Sequence, residues 1–239
     1  DPATETITQY VVKSAGQAAL DFGPIRALAL DDMGNIWLAA RGLIKFSPAS
    51  GELIRYQPET TSKLNHMAVD VLVDSQGEIW VAFTTGFYHF NPEDELFTQQ
   101  ISGAVTATLQ NQDGTLWVAG NSGLHIFDPQ VGQIIQTIIY DPTNSDGLNS
   151  GQYHTLVQDA GGLVWMGSVD AGLNIYSPQQ SRFSNYRKEL NNPKHSLAEK
   201  SVERIFVDDS GIVWVGSQLA LNRLDRQNGE ISHFSLTST

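Results

Sequence analysis

Cysteine is missing from all 239 residues, which excludes disulfides, thiolate metal sites and a cysteine nucleophile. Such a chain suits an oxidising compartment, although many cytosolic proteins also lack cysteine. Basic residues are scarce: 14 Lys and Arg face 26 Asp and Glu, a formal net charge of −12. Gripping phosphates takes a basic footprint, so neither nucleic acid nor an anionic lipid surface suits as the main partner. No apolar run approaches the roughly 18 residues of a spanning helix, so no membrane span is expected within the chain. A sustained 3.6-residue apolar period is also missing, which predicts few helices. The chain opens at Asp1 without a signal-peptide pattern, pointing to a removed leader or to a piece of a longer protein.

Catalytic signatures are equally sparse. The histidines are His66, His89, His125, His154, His195 and His233, and no two have the spacing of a zinc helix. A Gly-x-Ser-x-Gly elbow, a phosphate-cradling Walker loop and a dinucleotide fingerprint are all missing. No cofactor and no metal are therefore expected, and no catalytic residue is singled out. What is present is 21 glycines, 41% hydrophobic residues and only 17% charged ones, the balance of an ordered, turn-rich chain.

The five tryptophans carry the organisation. Trp37, Trp80, Trp117, Trp165 and Trp214 are spaced 43, 37, 48 and 49 residues apart. Each follows a glycine by three residues: Gly34, Gly77, Gly114, Gly162 and Gly211. Six residues ahead of each stands Asp31, Asp74, Asn111, Asp159 or Asp208. Beyond the indole, four repeats carry a glycine (Gly42, Gly86, Gly123, Gly172), an aromatic (Phe46, Phe90, Phe127, Tyr176) and a proline (Pro48, Pro92, Pro129, Pro178). The fifth departs, with Ala220, Leu224 and Arg226 in those places.

Each unit parses into four short strands separated by Asp, Gly and Pro turns, where Gly supplies positive φ and Asp caps its own backbone. Four strands every 40 to 50 residues or so is the signature of a propeller blade. The fold class expected is all-β: a β-propeller of four-stranded antiparallel blades at about 25–57, 69–101, 105–140, 153–187 and 202–236. An additional strand is expected at 6–12, over Thr6-Ile7-Thr8-Gln9-Tyr10-Val11-Val12. Five blades plus one strand leave two options, a ring closed by an overlapping end or an incomplete, fragment propeller, and the second is favoured. The tryptophans are expected to wedge between neighbouring blades, and the aspartates to hold turn N–H groups and not a metal.

These residues resemble the two-component regulator propeller repeat. The resemblance rests on the Val-x-x-Ile/Leu, Asp, Gly, Leu/Val-Trp-Met/Val-Gly-Ser and Gly-Leu-Asn pattern, best seen in 156–217. Its inter-blade link is matched by Asn192-Pro193 ahead of Ser196-Leu197 and Val202, by Asp141-Pro142 through Gly147-Leu148, and weakly by Lys63-Leu64. The resemblance covers about residues 5–236. It implies the periplasmic sensor region of a membrane-bound signalling protein, joined elsewhere to a transmembrane helix and a kinase or cyclase output module. It also implies about seven blades per propeller, more than the five read here.

On that reading the chain is a non-catalytic ligand-binding module for a polar small molecule such as a saccharide. Its partners would be the rest of the sensor protein and a possible second copy of itself. From strand order, Arg26, Asp70, His154, Glu203 and Arg204 are placed at the channel mouth. The long connections 139–153 and 187–201 add Asp141, Asn144, Asp146, Asn149, Gln152, Asn191, Asn192 and His195. Two alternatives stay open. One is a lyase, since streptogramin-lyase propellers also repeat Gly-x-Leu/Ile-Trp and pair a His with a magnesium-binding Glu, as His154 and Glu203 could. The other is a protein-interaction platform for basic partners.

Overall fold

The computed structural model describes residues 22–58, 67–144, 146–180 and 182–235. The expected strand at 6–12, His66 and the Lys63-Leu64 link lie outside the described residues. Among the described residues, five antiparallel sheets follow one another, each a four-stranded meander in chain order. Blade 1 holds Ala27–Leu30, Ile36–Ala40, Gly42–Ser47 and Glu52–Tyr56. Blade 2 holds Ala68–Val73, Ile79–Phe83, Gly86–Asn91 and Leu96–Ser102. Blade 3 holds Val105–Gln110, Leu116–Gly120, Gly123–Asp128 and Gln133–Ile138. Blade 4 holds Tyr153–Gln158, Val164–Ser168, Leu173–Ser177 and Arg182–Tyr186. Blade 5 holds Arg204–Val207, Val213–Gly216, Ala220–Leu224 and Ile231–Ser235. Residues from the innermost part of all five blades line one central cavity. Sheets radiating from a shared axis are the architecture of a β-propeller.

One local device repeats in every blade. The glycine three residues before each Trp takes φ of +79° to +86°, a conformation that costs other residues dearly. That lets its N–H return to the carbonyl of the Asp or Asn three residues back, closing the turn at 2.8–3.0 Å. In four blades the Asp carboxylate completes it. Asp159 Oδ1 accepts from Gly161 N and Leu163 N, while Oδ2 accepts from Trp165 Nε1 at 2.8 Å. Asp31, Asp74 and Asp208 hold Trp37, Trp80 and Trp214 in the same way, at 2.8–2.9 Å. Blade 3 lacks this bond: Asn111 binds Gln112 N and Gln158 Nε2, and the buried Trp117 Nε1 has no partner.

The indoles then join blade to blade. Trp37 meets Phe90 of blade 2 edge-on, with ring centres 5.8 Å apart. Trp80 meets Phe127 of blade 3 at 5.5 Å, and Trp117 meets Tyr176 of blade 4 at 5.2 Å. Trp165 packs in one cluster with Val213 and Leu224 of blade 5. The recurring aromatic is thus the lid on the preceding blade's Trp, and Leu224 serves as an aliphatic version. Burying one such ring removes roughly 150–250 Å² from water, an upper estimate of about 4–6 kcal/mol per indole. Arg226 explains the missing proline of the fifth repeat. Its guanidinium bonds Asp159 Oδ2 at 2.8 Å and lies 5.5 Å from the Trp165 ring centre, tying blade 5 to blade 4.

Coverage differs at the two ends of the arc. Second strands of blades 2, 3 and 4 are buried at every position, because a neighbour covers both faces. Blade 5's second strand alternates buried and half-buried, with Trp214 on the open face beside exposed Phe206, Leu221 and Phe234. Blade 1 shows the complementary face, where Leu28 and Leu30 are 64% and 63% exposed while Ala27 and Ala29 pack toward blade 2. These are inter-blade surfaces without a blade upon them among the described residues.

Candidate ligand-binding site

Inner strands present alternate side chains to the axis, and this gathers most of the expected mouth residues. Arg26, Asp70, His154 and Arg204, from four different blades, line a cavity of about 390 Å³ together with Thr106 and Thr108 of blade 3. Asp70 is the best-held group. Its Oδ2 accepts from Thr108 N at 2.8 Å and Thr108 Oγ1 at 2.9 Å across the blade boundary, and its Oδ1 accepts from Val71 N at 3.0 Å. Burial among the inner strands raises its pKa above the ordinary carboxylate range, outweighing those three hydrogen bonds and the attraction of Arg204. Beside the apolar Ala27, Val69, Ala107 and Leu156, the remaining lining is guanidinium, imidazole and hydroxyl. Two guanidiniums and an imidazole can donate several hydrogen bonds to one oxygen-rich ligand, while Thr106 and Thr108, whose hydroxyls donate to the Ala119 carbonyl and to Asp70, keep lone pairs as acceptors.

The other expected residues lie elsewhere. Glu203 precedes the inner strand of blade 5, and its carboxylate accepts from Ser201 Oγ at 3.0 Å instead of lining the cavity with His154. Asn191 and Asn192 are at the periphery, because the link turns into the 3₁₀ segment Pro193–His195 and docks on the outer edge of blade 5. There His195 Nδ1 contacts the Gly229 carbonyl at 2.8 Å and His233 Nε2 contacts the Pro193 carbonyl at 3.3 Å. His125 is a packed core group: Ser122 Oγ and Thr137 Oγ1 hold its two ring nitrogens, and burial lowers its pKa. Among the described residues, no three His, Asp or Glu side chains gather where they could hold a metal ion.

Two residues with structural weight carry no role in the sequence reading. Asn174 and Asn222, fully buried, receive the inter-blade links: Asn174 Oδ1 accepts from Asn149 N and Tyr153 OH, and Asn222 Oδ1 accepts from Ala198 N. The Asn of Gly-Leu-Asn, repeated as Leu-Asn at 221–222, was their signal. Asp141, Asn144 and Asn149 line a separate cavity beside blade 4.

Compared by sequence, the chain matches no family profile and no curated protein. By fold it is similar to solved β-propellers. The extracellular domain of BT4673 from B. thetaiotaomicron, assigned to a one-component system, superposes with a TM-score of 0.71 at 20% identity, covering 90% of this chain and 31% of that one. The extracellular domain of BT3049 from the same organism, assigned to a hybrid two-component system, gives 0.71 at 21% identity, over 96% of this chain and 33% of that one. Virginiamycin B lyase from Staphylococcus aureus gives 0.70 at 12% identity, over 92% and 72%. At these identities the likeness establishes the propeller fold. The chain spans about a third of the length of the two sensor-system domains.

Proposed function

We propose that this chain is a non-catalytic sensory module, a propeller portion of an extracytoplasmic signalling domain that binds a polar small molecule, of saccharide type, in its central cavity. The observation that carries the reading is the convergence of Arg26, Asp70, His154 and Arg204 from four blades onto one space. Nothing in a repeat requires charged groups there, since the wedges between blades supply the packing. The similarity to extracellular domains of one- and two-component systems supports the signalling context, and the link pattern of the sequence supports it too. Binding shifts a signalling equilibrium only through different affinities for two states, so the module acts against a movable neighbour. The apolar end faces at Leu28/Leu30 and Phe206/Phe234 provide such contacts, taken by further blades of the same protein or by a second copy. The placement of Glu203 away from the cavity favours binding over lyase chemistry.

The test is calorimetric titration of the chain with a panel of neutral and acidic mono- and oligosaccharides. Saturable binding that weakens at least tenfold in both Arg204→Ala and His154→Ala is the expected result. Binding that ignores both substitutions, or no binding by any member of the panel, overturns the central-cavity reading.

A further inference from the structure

A second cavity, of about 450 Å³, lies at the end of blade 4 between the link that enters it and the link that leaves it. Its walls are fixed from beneath. Asn149 N donates to Asn174 Oδ1 at 2.8 Å, Asn149 Nδ2 donates to the Ala171 carbonyl at 3.1 Å, and Ser150 Oγ donates to Asp170 Oδ1 at 2.7 Å. On the far wall, the Arg187 carbonyl accepts from Leu197 N at 3.0 Å and the Lys200 carbonyl accepts from Gly172 N at 2.7 Å. The backbone beneath Arg187 and Lys200 is thereby set, and both residues line the cavity with exposed side chains.

The charge of this lining runs against the rest of the molecule. Arg187, Lys188 and Lys200 converge here, three of only 14 cations in a chain of net charge −12. Among the described residues none of the three makes an ion pair, although Lys188 attracts Glu199 at longer range. The two carboxylates of the lining are already engaged locally. Asp170 takes the Ser150 hydroxyl, and Asp141 takes Thr143 N at 2.8 Å and Thr143 Oγ1 at 2.7 Å. Those Thr143 bonds lower the Asp141 pKa, so it is ionised at neutral pH and leaves its second oxygen as an acceptor. Tyr140, 40% exposed, adds an aromatic surface at the rim.

Unpaired guanidinium and ammonium groups call for an anion, amide and carboxylate oxygens call for hydroxyl donors, and a phenol ring suits the apolar face of a sugar. We infer that this cavity is a second ligand site, separate from the central one, for an acidic saccharide whose carboxylate or sulfate meets Arg187, Lys188 and Lys200 while its hydroxyls meet Asn144 and Asp141. The site does not depend on the central-cavity reading, because the two spaces share no lining residue.

The test titrates the chain at low and moderate salt with a uronic-acid trisaccharide, a sulfated trisaccharide, the neutral trisaccharide of the same linkage, and inorganic sulfate. One or both acidic sugars should bind at least tenfold more tightly than the neutral one and than sulfate alone, and should weaken as salt rises. Comparing the two acidic arms tells carboxylate from sulfate recognition. The double variant Arg187→Gln/Lys200→Gln changes two exposed side chains and keeps the backbone bonds, so its melting temperature should hold while acidic-sugar affinity falls at least tenfold. In an Arg204→Ala background, which removes the central-cavity contribution, the tenfold preference for the acidic sugar should persist. Equal binding of acidic and neutral sugars overturns the inference. So does sulfate binding as tight as either sugar, no binding by any probe, or a double variant with intact affinity. Loss of that preference in Arg204→Ala with none in the double variant would move the acid to the central cavity and overturn it also.

Discussion

Removing the carboxylate of Asp159 tests the turn-and-wedge device at its most connected point. The side chain is almost wholly buried and holds four donors: Gly161 N at 2.9 Å, Leu163 N at 3.0 Å, Trp165 Nε1 at 2.8 Å and Arg226 Nη1 at 2.8 Å. In Asp159→Ala the exposed Gly161 amide can turn to water at little cost. The Trp165 N–H cannot, because its ring is 2% exposed, and orphaning a buried donor costs about 1–3 kcal/mol. Arg226 loses its carboxylate and its hold on blade 4, and breaking a buried pair costs about 3–5 kcal/mol where both charges are enclosed. Arg226 is 31% exposed, so its share is smaller, and the total should come to about 3–5 kcal/mol. With a urea slope of about 2–3 kcal/mol per molar for a chain this long, the unfolding midpoint should drop by about 1–2.5 M. Asp113→Ala is the control, since that exposed carboxylate serves only Thr115, and it should cost under about 1 kcal/mol. Midpoints for the two variants within experimental error of each other would refute the reasoning.

Other outcomes follow from the same contacts. Asn111→Asp should give the orphaned Trp117 Nε1 an acceptor and raise stability by about 1 kcal/mol in urea unfolding; an unchanged or lower midpoint counts against it. Asp208 is held at about 2 by Ser210 and Trp214, and Asp31 is also lowered by its hydrogen bonds to Asn35 and Trp37. Their stabilisation is complete above the unfolded carboxylate range and is lost as pH falls through the folded values. Thermal melts from pH 5 to pH 2 or so should therefore fall less steeply in Asp208→Asn than in the parent chain. Charging both end faces, with Leu28→Lys and Phe206→Lys, should abolish any self-association seen by ultracentrifugation without lowering the melting temperature. A drop in stability would instead show those side chains to be core.

Repetition is what made the blades readable from residues alone. Any one Asp/Asn-x-x-Gly-x-x-Trp is an ordinary hairpin, but five in register, four with Asp and one with Asn, define the sheet, its turn and the indole's place. Arg26, Asp70, His154 and Arg204 were accessible for a related reason: strand order puts the first strand of every blade at the axis. Long-range partners were not. Arg226 reads as a broken repeat until Asp159 is seen beside it, 67 positions back in the sequence. Asn191 and Asn192 look like a polar loop over the mouth, yet the 3₁₀ segment that follows pulls them to the outer edge against His233. The basic lining beside blade 4 was hidden because Arg187, Lys188 and Lys200 come from one link and face Asp141 and Asn144 from another.

The most direct test of the wedge is fluorine NMR on protein carrying 5-fluorotryptophan, each resonance assigned by a Trp→Phe variant and probed with a soluble paramagnetic quencher. Four resonances should be protected and one quenched, the quenched one disappearing in Trp214→Phe, because only the fifth indole lacks a following blade among the described residues. Two or more quenched resonances among Trp37, Trp80, Trp117 and Trp165 would mean that the indoles do not join blade to blade.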